Sequence, residues 1–229
     1  MGRSPAPPTD ATIGAIGSEE FFRNFIHEVV HHGAWERIHI AILVGPLCWT
    51  LGGVGVCLAL RQRGESCFSA LGVMALAMGA TAWAVTFAFD GFAALRYAEA
   101  ISGNNLGDIT PLMIGFRANQ TVVIRLGLVS VILIGFGMAA FGGSILGVPG
   151  HSHPVLTLLG VGGVLFGAWP IIAWATGVFE PGPFTSRWWK PTALSMAAWF
   201  MSAGIAIVAD AGRAPMSGPL RPNGSDEAG

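Results

Sequence analysis

Charged side chains are scarce in this chain. Of its 229 residues, 12 are Lys or Arg and 13 are Asp or Glu, which is 11% of the total. Soluble globular domains carry about a quarter charged residues, so the composition argues against a water-soluble domain. The formal net charge is −1, and without a basic surface the chain is not expected to bind nucleic acid.

Cysteine is also scarce, with three residues in the whole sequence. Cys48 and Cys57 both fall within one long apolar run, which excludes a disulfide framework of the secreted type. Strict alternation of apolar and polar residues is missing as well. The apolar runs are continuous, and this excludes a transmembrane β-barrel.

Apolar residues, by contrast, are abundant: they make up 52% of the sequence, and the mean hydropathy is +0.61. About twenty apolar residues in a helix cross the roughly 30 Å hydrocarbon core of a bilayer. We therefore predict an all-α integral membrane protein, embedded in the lipid bilayer of a bacterial-type inner membrane or a plasma membrane. Five transmembrane helices are expected, over residues 38–60, 68–89, 121–143, 155–179 and 191–208.

These spans are predicted to belong to a single helical membrane domain over residues 18–209. Residues 1–17 and 210–229 are rich in proline, glycine and polar residues, so both ends are expected to be disordered. More of the Lys and Arg residues fall on the N-terminal side of the predicted spans, which favours a cytoplasmic N-terminus.

An amphipathic helix is predicted over residues 18–32, before the first span. Ser18 is a suitable N-cap, with Glu19 and Glu20 in the first turn. Helical spacing gathers Phe21, Phe22, Phe25, Ile26, Val29 and Val30 on one face and leaves the opposite face polar. Such a helix either lies at the membrane interface or covers another part of the protein.

Spans two and three are predicted to continue beyond the bilayer as a helical hairpin that turns near Gly107. Pairing about that centre places Asp90 level with Arg125, and Glu99 level with Arg117. These opposite charges would form a structural clasp, because pairing relieves the desolvation of each. Alternatively, Asp90 and Arg125 would form a polar pocket with His39, an ionisable residue within a predicted span, and with His32 on the N-terminal side.

The string His27-Glu28-Val29-Val30-His31 matches H-E-x-x-H and in this respect resembles the zinc proteases. The resemblance implies zinc held by His27 and His31, with Glu28 as the general base. Asp90-Gly91 is similar to the Asp-Gly that supplies a third ligand in membrane-embedded site-2 proteases. The alternative is that these histidines belong only to a solvated polar face.

Three functional hypotheses follow from these patterns. The leading one is a non-enzymatic membrane protein, without a cofactor, that binds a partner or ligand through the N-terminal helix and the hairpin. Its partner would be another protein or a second copy of the chain. The second hypothesis is a zinc-dependent hydrolase that uses His27, Glu28 and His31, with Asp90 as a further ligand. The third is a small permease or ion pathway around His39, Asp90 and Arg125.

Overall fold

The structure, a computed structural model, describes residues 18–64, 68–104, 107–148, 154–176 and 189–211. The described residues are helical, without a strand. We label the helices in chain order: α1 (Glu19–His31), α2 (Trp35–Arg61), α3 (Phe68–Ala88), a π-helical turn (Phe89–Ala93), α4 (Ala94–Gly103), α5 (Thr110–Leu146), α6 (Pro154–Ala175) and α7 (Trp189–Ala211). Residues 1–17 and 212–229, for which disorder is predicted, lie outside the described part.

Four helices are long and apolar enough to cross a membrane: α2, the continuous helix Phe68–Gly103, α5 and α6. A fifth apolar segment, Leu194–Ile207 in α7, is shorter, so the number of five spans remains a prediction. Helix α6 is described to Ala175, and residues 177–179 of the predicted fourth span lie outside the described part. Helix α7 runs from Trp189 to Ala211 and so includes the predicted span 191–208.

The long helices pack side by side in the order α2, α3, α5, α6 and α7, and α7 also contacts α2. Glycines let α3, α5 and α6 approach closely. A Cβ atom at Gly79 would lie 2.9 Å from the backbone nitrogen of Ile134, and one at Gly142 would lie 2.5 Å from the carbonyl oxygen of Gly160. Small residues at such contacts are typical of helix packing in membranes, where van der Waals contact drives association.

Helices α3 to α5 form the predicted hairpin. Phe68–Gly103 has 36 residues and α5 has 37, which correspond to about 55 Å each at the rise of an α-helix. Both therefore exceed the roughly 30 Å of a bilayer core. At the turn, the hydroxyl and the backbone N–H of Thr110 both hydrogen-bond to the Asp108 carboxylate, and these contacts hold the pKa of that carboxyl below its usual range.

Helix α1 lies against the end of this hairpin. The Ser18 hydroxyl accepts a hydrogen bond from the backbone N–H of Phe21 at 3.0 Å, as expected of an N-cap. A second hydrophobic core, separate from that between the long helices, joins α1 to α4 and to the start of α5. Its buried members are Phe21, Phe22, Ile26, Val29, Ala94, Ala98 and Phe116. We call α1, α4 and residues 110–120 of α5 the cap.

Candidate functional site

A buried polar cluster joins three helical elements where the cap meets the long helices. His39 comes from the beginning of α2, Asp90 from the π-helical turn and Gln120 from α5. The Nε2 atom of His39 lies 3.1 Å from Oδ2 of Asp90, and Nε2 of Gln120 donates to Oδ1 of Asp90 at 3.3 Å. Exposure is 5% for His39 and 1% for Asp90, so the pair is shielded from water.

The hydrogen bonds of His39 restrict the protonation states of the pair. Its Nδ1 atom lies 2.8 Å from the carbonyl oxygen of Trp35. Because a carbonyl oxygen can only accept, Nδ1 must carry a hydrogen. A second hydrogen then lies between Nε2 of His39 and the carboxyl group of Asp90. The pair is either an imidazolium facing a carboxylate or a neutral imidazole facing a carboxylic acid. The net charge of the pair is zero in both forms.

The π-helical turn presents Asp90 to its partners. One extra residue in the turn widens the helix, and such turns occur often at functional sites. Two of its carbonyl groups accept hydrogen bonds from other helices. The indole Nε1 of Trp35 donates to the carbonyl oxygen of Asp90 at 3.0 Å, and Nδ2 of Asn119 donates to that of Phe89 at 3.3 Å.

Gly91 makes the close approach of α2 to this turn possible. A Cβ atom at position 91 would lie 2.4 Å from Cβ of His39 and 2.9 Å from its Cγ. Any side chain there would displace the His39 ring from Asp90. The ring is also packed between aromatic side chains, with centroids 4.7 Å from Trp35 and 5.6 Å from Phe87. These rings lower the local dielectric and strengthen the polar contacts.

The predicted pairing of Asp90 with Arg125 is wrong. Asp90 uses His39 and Gln120, whereas Arg125 is exposed and makes no ion pair or hydrogen bond with any residue that the structure describes. Opposite Asp90 on α5 lies Gln120, five residues before Arg125. The hairpin register therefore differs from the predicted one by more than a helical turn. His39 does join Asp90, whereas His32 is exposed, so two of the four residues of the predicted pocket lie together.

The predicted pairing of Glu99 with Arg117 is also wrong. Glu99 accepts a hydrogen bond from Arg96 at 3.0 Å, within α4. Arg117 instead pairs with Glu19 of α1 and lies over the ring of Phe22, 5.1 Å from its centroid. The physical reason is that α1 covers the hairpin and brings its own carboxylate to Arg117.

His27 and His31 lie together on the exposed side of α1, but their arrangement does not suit one metal ion. Their rings are stacked, with centroids 4.0 Å apart and planes 20° apart. A metal must lie in the plane of each ligating ring at about 2 Å, and two nearly parallel planes at this separation share no such point. The Nδ1 of His31 also donates to the carbonyl oxygen of His27 at 2.8 Å.

Asp90 does not complete a metal site with these histidines, because its carboxylate is bonded to His39 and Gln120. Over the residues that the structure describes, no group of three or more His, Cys, Asp or Glu side chains is placed to hold a metal. Glu28 is half-buried beside the stacked rings. The structure therefore does not bring His27, His31 and Asp90 together as a zinc ligand set.

The interior of the helical bundle beyond the cluster is apolar. Large buried side chains occupy it, among them Leu76, Ile134, Met138 and Phe141. The nearest buried hydroxyl groups donate to carbonyl groups of their own helices: Thr86 to Ala82, and Ser130 to Gly127. In the described part of the bundle, the polar cluster therefore does not continue as a polar path across it.

Trp35, Asn119 and Gln120 belong to this site but are not among the residues predicted from the sequence. Asn119 and Gln120 are adjacent amides that are buried in a long apolar helix, and this is a signal of a buried polar contact.

Comparison of the chain with protein-family models, with curated proteins and with solved structures gives no match.

Proposed function

We propose that this chain is a non-enzymatic multi-pass membrane protein that binds a ligand or partner through its cap, and that a proton held by His39 and Asp90 controls how firmly the cap is attached. The observation that carries the proposal is the buried contact of 3.1 Å between His39 and Asp90 at the base of the cap. Buried, mutually bonded ionisable groups of this kind are candidates for a functional site.

The lengths of the helices support a position of this pair outside the hydrocarbon core of a bilayer. Helix α6 has 22 residues, or about 33 Å, so it just crosses the core. Gly167 of α6 packs on Gly135 of α5, and the two helices run antiparallel. Ala175, the last residue of α6, follows Gly167 by eight residues and therefore lies level with Gly127, eight residues before Gly135. Gln120, beside Asp90, lies seven residues further out on α5, about 10 Å beyond that level.

This position gives the pair access to protons from one side of the membrane when the cap opens. The side chains that contact the pair are Trp35 from α2, Phe87 from α3 and Gln120 from α5. None of these three is charged, so the pair itself dominates the response to pH. The polar face of α1, with Arg23, His27 and His31 exposed, is the surface that we propose for a water-soluble partner.

The direction of the response follows from counting protons. With the cap open, His39 would titrate near its ordinary pKa of about 6.5. Above about pH 6.5 the closed pair holds one proton more than the open pair, so raising the pH favours opening. Attachment is therefore stronger below about pH 6.5 than above it.

Hydrogen exchange of the α1 amides at pH 5.5 and pH 8, corrected for the intrinsic exchange rate, tests this proposal. In the unaltered protein we expect protection to weaken at pH 8, by up to about 2 kcal/mol for one proton over the 1.5 units above pH 6.5. His39→Gln removes the titrating ring and should make protection independent of pH over this range.

Asp90→Asn should reverse the sign of the response. An amide at position 90 holds no shared proton, so the closed state would contain neutral His39 and opening would take up a proton at pH 5.5. His31→Gln, on the exposed face of α1, is the matched control and should behave like the unaltered protein. The same pH dependence in all four proteins would contradict the proposal.

A partner at the polar face of the cap is tested separately by photo-cross-linking in cells. A photoreactive residue in place of His27 should give a defined protein adduct. One in place of Met74, which is 62% exposed on a long helix, should give none. Equal labelling from both positions, or from neither, would count against a partner at this face.

A further inference from the structure

Arg125 is the exposed cation of α5 that the cluster leaves unused. It lies two residues from Gly127, the level at which α6 ends, so the membrane placement proposed above puts it at the boundary of the hydrocarbon core on the cap side. The described part of the chain offers its guanidinium group no hydrogen bond and no ion pair. A guanidinium group at this depth requires an anionic or polar partner, because apolar surroundings do not solvate its charge.

The exposed surface of α5 that follows Arg125 in the chain is apolar. Val129 and Phe136 follow it by 4 and 11 residues, so at 100° per residue both project within about 40° of its direction. They are 47% and 49% exposed. The outer face of α5 thus carries one cation at the membrane boundary and an apolar stripe that runs from it into the bilayer.

We infer that Arg125 binds the headgroup phosphate of an anionic phospholipid, whose acyl chain lies along Val129 and Phe136. The planar guanidinium fork matches two phosphate oxygens, and its long aliphatic stem reaches toward the headgroup layer. A free phosphate ion would not use the apolar stripe, and a carboxylate of a second protein would not require it. A lipid accounts for both the cation and the apolar stripe. From the proposed function, this inference uses only the position of the helices in the membrane.

Native mass spectrometry of the purified full-length protein in detergent tests this site. The probes are palmitoyl-oleoyl phosphatidylglycerol, the corresponding phosphatidylcholine, and inorganic phosphate. The unaltered protein should bind phosphatidylglycerol about tenfold more tightly than phosphatidylcholine, because both lipids present a phosphate but the trimethylammonium group of phosphatidylcholine offsets its charge and weakens the attraction to Arg125. Arg125→Gln should abolish this preference, and Arg125→Lys should retain part of it because the charge remains while the fork is lost.

Arg96→Gln is the matched control, since Arg96 is also exposed but pairs with Glu99 in the cap. It should keep the full preference for phosphatidylglycerol. A preference retained in Arg125→Gln, or equal competition by inorganic phosphate, would overturn the assignment. A loss of oligomer mass in Arg125→Gln with unchanged lipid binding would overturn it too, because Arg125 would then pair with a protein carboxylate. If Arg125→Gln does not fold, the assignment is tested by the partial loss of the preference for phosphatidylglycerol that is expected in Arg125→Lys.

Discussion

At the scale of single residues, the contact between His39 and Asp90 depends on a residue with no side chain. Gly91 allows the backbone of the π-helical turn to lie against the Cβ atom of His39. The two polar side chains can meet only because their backbones approach this closely. The same closeness excludes water from the pair, which is why its protonation would be coupled to the position of the cap.

Gly91→Ala is therefore expected to destabilise the protein by about 1–3 kcal/mol, the usual range for overpacking a filled site. The added methyl group would overlap His39, and the ring would have to leave Asp90. Thermal unfolding in detergent measures the loss. Gly45→Ala in α2 is the control, because a Cβ atom at that position meets nothing within 4 Å, and it should be neutral or slightly stabilising. Equal stability of the two variants would mean that His39 and Gly91 are not in contact.

At the scale of helical elements, the cap is held by a small core of its own. Phe116 is fully buried at the centre of this core, with ring centroids 6.1 Å from Phe22 and 5.9 Å from Phe25. The ion pair between Glu19 and Arg117 is partly exposed and adds little by comparison, since exposed pairs are worth about 0–1 kcal/mol. Apolar burial is what attaches α1 to the hairpin.

Phe116→Ala should release α1 from the hairpin while leaving the long helices packed. Truncating a buried phenylalanine costs about 3–5 kcal/mol, which is enough to open a small separate core. Hydrogen exchange should then show lost protection in α1 and α4 but unchanged protection in α6. Ile114→Ala, two residues away at a position that is 63% exposed, should alter neither region. Loss of protection throughout the chain would mean that the cap and the bundle unfold as one unit.

At the scale of the whole molecule, the number of membrane crossings determines where the two ends lie. Four helices satisfy the length and hydropathy of a span, and the apolar segment Leu194–Ile207 is shorter. Its fourteen residues correspond to about 21 Å, although α7 as a whole has 23 residues and is long enough to cross. We expect five crossings, because α7 packs beside α6 and α2 within the same bundle.

Reporter fusions after Gly17 and after Gly224 test this expectation. With five crossings, an enzyme active only in the cytoplasm and one active only outside it should report opposite compartments for the two ends. Fusions in the loops after Arg63 and after Leu146 should both report the compartment opposite to that of Gly17. Matching compartments at the two ends would exclude an odd number of crossings and would place α7 on the membrane surface.

The sequence by itself determines the helical class and the approximate positions of the apolar helices. These properties depend on local composition and on length, which can be read within about twenty residues. The N-cap at Ser18 and the long hairpin are predictable for the same reason. His39 and Asp90 also stand out, since ionisable residues are rare among apolar ones and each is expensive to bury without a partner.

Only the tertiary structure decides which partner each charge has. Matching charges across the hairpin predicts Arg125 for Asp90, yet the packed helices place Gln120 there and bring His39 from α2. The extra residue of the π-helical turn and the contact of Gly91 with His39 establish this register, and neither is visible as a periodic pattern. Arg117 likewise pairs with Glu19, 98 residues away in the chain. Charges are neutralised by whichever group packing brings near, and packing depends on contacts between distant segments.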